Sequence, residues 1–573
     1  MFARRFTTIA ATCTAATVLV ACMANPGPPP LGGTDPVERT PTASESEAAA
    51  PHDGAAATTS TTSEEKPEPT DRSTALVGVD ELRNGLNPHL VANRSELVDN
   101  IASLVLPSTF VDGELNTDVF VSAEERAVPT GKQRSPQGAS ESPSATPTAR
   151  STPKKTYVQR VRYEIAPEAQ WSDGKPITAE DFTYLWAQLT TTPGVINSAP
   201  YHSIGDIDSS AGGRVVDVYF TREVADWQQM FHNLLPAHLL SATPDSFTSD
   251  LGNGIPASAG RYRVASVDRA RGIIELNRND RFWGSDPAHI DVLKLMTVRS
   301  TTQGVDYLRT GQMQFVDIAP YETTTDAFGL VPGVDTSVAP TRRQLELQLN
   351  VDSNMLGDTA RRKALLSVID RETLARITAG RSVHVETPDA FGDKARAEIE
   401  SAASQRDALA AATATDPLRL AADPADPQAS AAVRTIVDML ASEGIKAEVV
   451  SASMSDIAEE LSNGSAIDGV MSWGTAVPTP ASAAGRYLCP DVSKTPLTDN
   501  FTRYCPRNAA DNLDDILSGD IASDRLERKL RALNNATFTR LPILTETRLR
   551  ASGTGLVAPA RDLSEAHTWQ LEQ

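Results

Sequence analysis

Tyr163-Glu-Ile-Ala-Pro-Glu-Ala-Gln-Trp171-Ser-Asp173-Gly174-Lys-Pro176-Ile-Thr178-Ala-Glu-Asp181-Phe182 holds a strand end, a turn and a helix start in one short run. Val161, Tyr163 and Ile165 alternate with polar residues, the period-two pattern of a strand over 157–165. Asp173-Gly174 and Pro176 supply turn chemistry. Thr178 is then placed to cap a helix, with Asp181 three residues on as a short capping box. Phe182, Leu185, Trp186 and Leu189 fall on one face of that helix, the face expected to be buried. Trp171 is expected to pack in the core.

Working outward, the first half reads as α+β. Strands are expected at 75–79, 216–220, 293–298, 315–318 and 345–351, with a helix over 96–106. The runs 262–267 and 273–277 flank a turn-like Asp268-Arg269-Ala270-Arg271-Gly272 and predict a hairpin. Beyond residue 358 helices at 359–369 and 372–379 are parted by Asp370, an N-cap candidate. An Ala-rich stretch to about 415 has no clear period. Strand 418–421, helix 429–443, strand 447–450, helix 455–461 and strand 468–473 then alternate. That order argues for an open, mostly parallel sheet with helices on its faces. The segment 512–533 reads as one helix.

The N-terminus reads as a secretory signal. Arg4 and Arg5 precede an uncharged run over 6–20, too short and too rich in Thr and Ala for a good spanning helix. It ends in Leu19-Val20-Ala21-Cys22, the bacterial lipobox pattern, which predicts cleavage after residue 21 and acylation of Cys22. Two or more acyl chains give stable membrane anchoring. Residues 22–74 are rich in Pro, Ser, Thr, Ala and Glu and are expected to form a disordered tether; 128–154 reads as a second such stretch, a long surface loop. The chain of 573 residues carries a net charge of −21. Such a surface repels phosphate backbones and anionic headgroups, which disfavours nucleic acid as a partner and a basic patch as the means of membrane attachment. Four cysteines are present. With Cys13 in the signal and Cys22 acylated, Cys489 and Cys505 remain, and in an exported protein a disulfide between them is expected.

Motifs for catalysis, metal or cofactor are not evident. The sequence has no phosphate-binding Gly-rich loop ending in Lys-Ser/Thr, no His-Glu-x-x-His and no Gly-x-Ser-x-Gly. His232 and His238 are six apart, a poor spacing for shared ligation on a helix. Asp514 and Asp515 read as a solvated helix face. This pattern favours a binder over an enzyme, with no cofactor implied.

Several segments resemble family 5 solute-binding proteins, the receptors of peptide and nickel ABC importers. They are Leu86-Asn87-Pro88-His89-Leu90, the Trp171 stretch, Leu235-Pro236-Ala237-His238, Gly260-Arg261-Tyr262-Arg263-Val264, Asn279-Asp280-Arg281-Phe282-Trp283-Gly284 and the Arg361 to Arg371 region. The resemblance implies an α/β, bilobal periplasmic-binding-protein-like fold with two hinge strands, placed at 315–318 and 345–351. It implies lobe one over 75–320 plus 534–573, lobe two over 345–530, and closure on a ligand by hinge bending. Within the family, Leu86 to His89, Ile101 to Phe110 with its Ala-Ser-Leu-Val-Leu-Pro-Ser run, the Trp171 segment, Pro193-Gly194-Val195, Trp473 and Gly485-Arg486-Tyr487-Leu488-Cys489-Pro490 are similar to LpqW-type lipoproteins of mycobacteria and corynebacteria. That likeness implies a mannosylated phosphatidylinositol as ligand, a role in lipoarabinomannan synthesis and a membrane mannosyltransferase as partner. It also marks Asn87, His89, Trp473, Arg486 and Tyr487 as candidate ligand residues in a monomeric protein. The alternative is an oligopeptide receptor with an ABC permease as partner. A peptide's α-amine needs a carboxylate, because an unpaired buried ammonium costs several kcal/mol, and the run after Trp473 has no acid before Asp491. Trp473 either stacks on a sugar or lipid or packs as core; Arg486 pairs with a ligand phosphate or with a surface acid.

Overall fold

Thr178 and Asp181 close the expected capping box at the head of helix Ala179–Thr191. The Thr178 amide donates to the Asp181 carboxylate at 2.9 Å, and the Thr178 hydroxyl accepts from the Glu180 amide at 3.3 Å. Trp171 is fully buried, and Gly174 turns the chain at a φ of +88°, a conformation glycine adopts without strain. These positions come from a computed structural model that describes residues 72–129, 156–243, 245–464, 466–476, 478–489 and 496–572. The signal, Cys22, the tether up to residue 71 and nearly all of 128–154 lie outside the described residues. The described residues belong to one compact unit, Pro69–Gln573.

One ten-stranded sheet organises that unit. Its order is Ala447–Ser451, Leu418–Ala422, Gly469–Thr475, Asp335–Leu349, Arg540–Ser552, Phe315–Ile318, Thr74–Val79, Val292–Thr297, Ile273–Arg278 and Tyr262–Asp268. Two parallel triplets, 447/418/469 and 315/74/292, flank a long antiparallel pair. The expected β-α-β-α-β run therefore forms a parallel triplet, but as the edge of a larger mixed sheet. The hairpin Tyr262–Asp268 with Ile273–Arg278 forms as expected. A separate antiparallel sheet pairs Phe120–Glu125, Gln159–Ile165, Val215–Phe220 and Ile204–Ser210 in that order.

Of the two large apolar cores, the second takes in residues of the long antiparallel pair and the first lies on the strands beyond it. Val77, Trp171, Phe182, Leu235, Leu293 and Phe315 belong to the first. Leu345, Leu374, Leu420, Val433 and Leu541 belong to the second. Strand Arg540–Ser552 serves more than one cluster: Leu541, Ile543 and Leu544 pack in the second core, whereas Leu549 and Ala551 pack against Val316 and Phe328. Strand Asp335–Leu349 starts ten residues earlier than the sequence pattern suggests. Its pairing with Arg540–Ser552 slips between Pro340 and Gln344, a bulge that frees Thr341 to Arg343 from that partner.

Other departures have local causes. The helix expected over 512–533 is two, Ala509–Leu517 and Ser523–Thr537, parted where Gly519 takes a φ of +78°. Gly260 donates its amide to the Val105 carbonyl at 2.9 Å, and a Cβ there would lie 2.3 Å from the Leu104 oxygen, so only glycine fits that approach. Among the described residues no helix is long and apolar enough to cross a membrane.

The disulfide Cys489–Cys505 forms, with its Cα atoms 5.1 Å apart. Chain-entropy reasoning for a loop of 16 residues gives about 3 kcal/mol of stabilisation. The paired substitution Cys489→Ser and Cys505→Ser is expected to lower unfolding free energy by that amount, measured as a urea midpoint shift at unchanged m-value. Reductant should shift the parent protein alone; a shift in the variant too would place the effect elsewhere.

Candidate ligand cleft

The antiparallel partners Asp335–Leu349 and Gly469–Thr475 set Trp473 opposite Leu345, at the edge of the second core. The indole Nε1 donates to the Asp426 carboxylate at 2.7 Å. The Arg343 guanidinium lies 5.3 Å from the Trp473 ring centroid, within cation–π range. Trp473 is thus neither a free stacking surface nor a sealed core residue: it is half-buried and held by two charged groups.

Asp426 is the junction of this arrangement. One carboxylate oxygen accepts from the Gln428 and Ala429 amides at 3.0 Å each, capping helix Pro427–Ser442. The other takes Trp473 and also the guanidinium of Arg83, which arrives from the segment following strand Thr74–Val79. Next to it the Asn84 amide donates to the Asp423 carboxylate at 3.0 Å. Val91 and Ala92 of the same segment pack against the small cluster containing Met454, Ile457 and Phe501. Residues leaving the first core therefore grip the second directly beside Trp473.

Strand Arg540–Ser552 carries buried charges that are paired along its length. Arg540 pairs with Glu346, and Glu546 with Arg343 at 3.3 Å. Arg548 pairs with Asp317 at 2.8 Å and with Asp80. Arg550 bridges Asp317 at 3.2 Å, Glu96 at 3.0 Å and Asp562 at 2.9 Å. Burial, reinforced by the neighbouring carboxylates of Glu546 and Asp317, pushes Glu96 up to about 7.

Two spaces open here. A small cavity beside Trp473 is lined by Glu346, Ser472, Arg486, Asp499, Asn500 and Arg540. A cleft of about 1230 Å³ is lined by His89, Asp99, Asn116, Asn233, Arg261 and Arg342, among others. It exceeds the roughly 300–1,000 Å³ of ordinary small-molecule pockets.

The candidates from the sequence separate accordingly. Trp473 and Arg486 line the small cavity, and His89 lines the large cleft. Asn87 is fully buried: its amide donates to the Phe247 carbonyl at 2.6 Å and its oxygen accepts from the His89 amide at 3.0 Å. Tyr487 packs with Ala199, Leu513 and Leu530, under the Lys529 ammonium at 5.8 Å. The residues not anticipated are Arg343, Asp426 and Asp499. Asp499 corrects the search for an acid confined to the run after Trp473, because the fold brings a carboxylate to this cavity from 26 positions downstream.

His89 offers a pH test. Its Nε2 lies 2.9 Å from the Asn233 carbonyl, and burial lowers its pKa from 6.5 to about 4. A depressed folded value means that its stabilising contribution is complete above pH 6.5 and is lost as pH falls through 4. His89→Gln, which keeps an amide donor, is expected to flatten the stability profile across that window. Urea midpoints at pH 7, 5.5 and 4.5 check this; parallel profiles for the two proteins would show that His89 does not set the slope.

Comparison with known proteins gives four likenesses. Residues 149–494 match the family profile of bacterial extracellular solute-binding proteins, family 5 Middle. A protein of Mycobacterium tuberculosis (strain ATCC 25618 / H37Rv), named probable monoacyl phosphatidylinositol tetramannoside-binding protein LpqW, is 28% identical over 478 residues, covering 75% of this chain and 72% of that protein. The oligopeptide-binding protein OppA of Mycobacterium bovis is 30% identical over 233 residues, 39% of this chain and 38% of that protein. Among solved structures, the oligopeptide-binding protein AppA from Bacillus subtilis, in complex with a nonapeptide, matches with a TM-score of 0.62. At 13% identity it covers 88% of this chain and 100% of its own, a likeness of fold.

Proposed function

The chain belongs to the family 5 bacterial extracellular solute-binding proteins and shares their mixed α/β fold, and from that premise we propose a non-catalytic receptor held at the outer face of a cell membrane by acyl groups on Cys22. Its guest is an acylated phosphatidylinositol mannoside, and its role is to regulate mannolipid and lipoarabinomannan assembly beside a membrane mannosyltransferase. The observation that carries this reading is the cleft of about 1230 Å³, whose wall mixes polar side chains with Leu104, Leu106, Phe110 and Phe282. A guest with a sugar headgroup and an acyl chain suits such a wall better than a small solute does. The 28% identity to a protein named for a monoacylated phosphatidylinositol tetramannoside supports the same guest. Hinged closure, with Arg83 meeting Asp426, holds it.

Native mass spectrometry of the protein purified from its own host tests the reading. A co-purifying mannolipid is the expected result. A mixture of short peptides would replace it with the second reading, an oligopeptide receptor serving an ABC permease. One observation favours that alternative: Asp499 supplies the cavity beside Trp473 with the carboxylate that a peptide α-amine requires.

A further inference from the structure

Two opposite charges, Arg486 and Asp499, line the small cavity beside Trp473 without an ion pair among the described residues. Arg486 is the C-cap residue of the short helix Pro480–Gly485. Among the described residues its guanidinium makes no hydrogen bond or ion pair; its backbone amide donates to the Ala483 carbonyl at 3.1 Å and its carbonyl accepts from the Asn500 amide at 3.4 Å. Burial and the adjacent Arg540 lower its pKa to about 10. The Asp499 carboxylate forms no ion pair among the described residues: it is hydrogen-bonded to its own backbone amide and lies in the field of Arg540 and Arg94, while its backbone carbonyl accepts from Gln348 at 3.3 Å. The other charges nearby are committed. Arg540 pairs with Glu346 and donates to the Asn500 side chain at 2.8 Å, and Asp426 holds Arg83 and Trp473.

Both side chains are half-buried, so a guest that pairs each of them gains charge-assisted hydrogen bonds in a partly desolvated site. The rest of the wall narrows the guest's chemistry. Gln348, Ser472, Thr475, Ser482 and Asn500 line it with neutral hydroxyls and amides, several of them already hydrogen-bonded within the protein, whose remaining lone pairs and protons suit a molecule bearing many hydroxyls. A peptide terminus offers a single ammonium or a single carboxylate and would leave most of that wall idle. We propose that this cavity is a subsite for a phosphorylated polyol: Arg486 takes the phosphodiester through its planar fork, and Asp499 accepts hydrogen bonds from the ring hydroxyls. This rests on the glycolipid reading above and assigns the headgroup within it. The free space in the cavity is about 30 Å³, room for about two waters, so a guest of this size is admitted only when its walls move apart.

Calorimetric titration of the full-length protein with glycerophosphoinositol, free inositol, inorganic phosphate and a tripeptide tests the assignment. The parent protein is expected to bind glycerophosphoinositol well above the other three. Arg486→Gln should weaken that binding by about 10- to 100-fold, the usual range for a charge-assisted hydrogen bond. It should leave the weak inositol binding unchanged, and Arg486→Lys should recover part of the loss. Asp499→Asn should weaken glycerophosphoinositol and inositol alike. Equal affinity of parent and Arg486→Gln overturns the proposal, as does inorganic phosphate binding as tightly as glycerophosphoinositol. Tripeptide binding that alone depends on Arg486 overturns it as well. If a mannolipid co-purifies equally with the parent and Arg486→Gln, this subsite assignment falls while the receptor reading stands; if no lipid co-purifies, the receptor reading falls.

Discussion

Arg548→Ala is expected to destabilise the protein by about 3–5 kcal/mol, the range measured when one partner of a buried ion pair is removed. The Arg548 side chain is buried, and its guanidinium is fully used. Nε donates to the Asp317 carboxylate at 2.8 Å, Nη2 to the Asp317 carbonyl at 2.7 Å, and Nη1 to Asp80. Burial alone would lower its pKa, yet the carboxylates of Asp80, Asp317 and Glu546 hold it well above the ordinary value. Without it, Asp317 keeps only Arg550, and Asp80 loses a cation. Arg548→Lys should fall between, since an ammonium keeps the charge but cannot span the same acceptors. The double variant Arg548→Met with Asp317→Leu is expected to regain most of the loss, because it buries no unpaired carboxylate. Urea unfolding of the four proteins reads this directly. A loss below about 1 kcal/mol for Arg548→Ala would class the pair with exposed bridges.

Trp171→Ala should cost about as much, roughly 3–5 kcal/mol, by a different route. The side chain is fully buried, and its removal leaves a cavity that the surrounding sheet and helix cannot fill. Its Nε1 lies 3.4 Å from Asp181. That carboxylate accepts from the Thr178 and Ala237 amides at 2.9 Å each, so one buried group ties the turn, the helix start and the chain near His238 together. Burial raises its pKa to about 6, against those hydrogen bonds. Trp171→Phe should lose less, because most of the apolar volume remains. The check is a urea midpoint shift with the indole fluorescence change referred to the remaining tryptophans. Trp171→Ala within 1 kcal/mol of the parent would mean the site collapses on the void.

The capping box, the hairpin and the parallel triplet were legible because local chemistry and apolar period agree there. Strand Arg540–Ser552 was not. Its Arg-Leu-Pro-Ile-Leu-Thr-Glu-Thr-Arg-Leu-Arg run has charges at positions that pattern reading assigns to solvent, yet Glu546 and Arg548 are buried. They are stable there only because Arg343, Asp317 and Asp80 meet them, partners 203 to 468 positions away. The early start of strand Asp335–Leu349 escaped for a related reason, since Thr341-Arg342-Arg343 looks like an exposed loop until its bulge is seen. In the site, Trp473 and Arg486 were visible as residue types, whereas the acid opposite them was sought along the chain and is supplied by the fold. Asn87 shows the converse: a residue marked by motif whose amide is spent on holding its own turn.

The order of the sheet sets a timetable. Its latest strand in sequence, Arg540–Ser552, lies fifth of ten across the sheet, between strands that begin at residues 335 and 315. A chain threaded N-terminus first can assemble each parallel triplet early, but the sheet stays in two parts until this strand pairs with both of its neighbours. Before then both facing edges expose unpaired backbone, and Asp80, Asp317 and Glu346 lack their cations. Such a seam is slow to close because its contacts are far apart in sequence. During that interval the unpaired edges are where the half-made protein is open to wrong pairing with another chain.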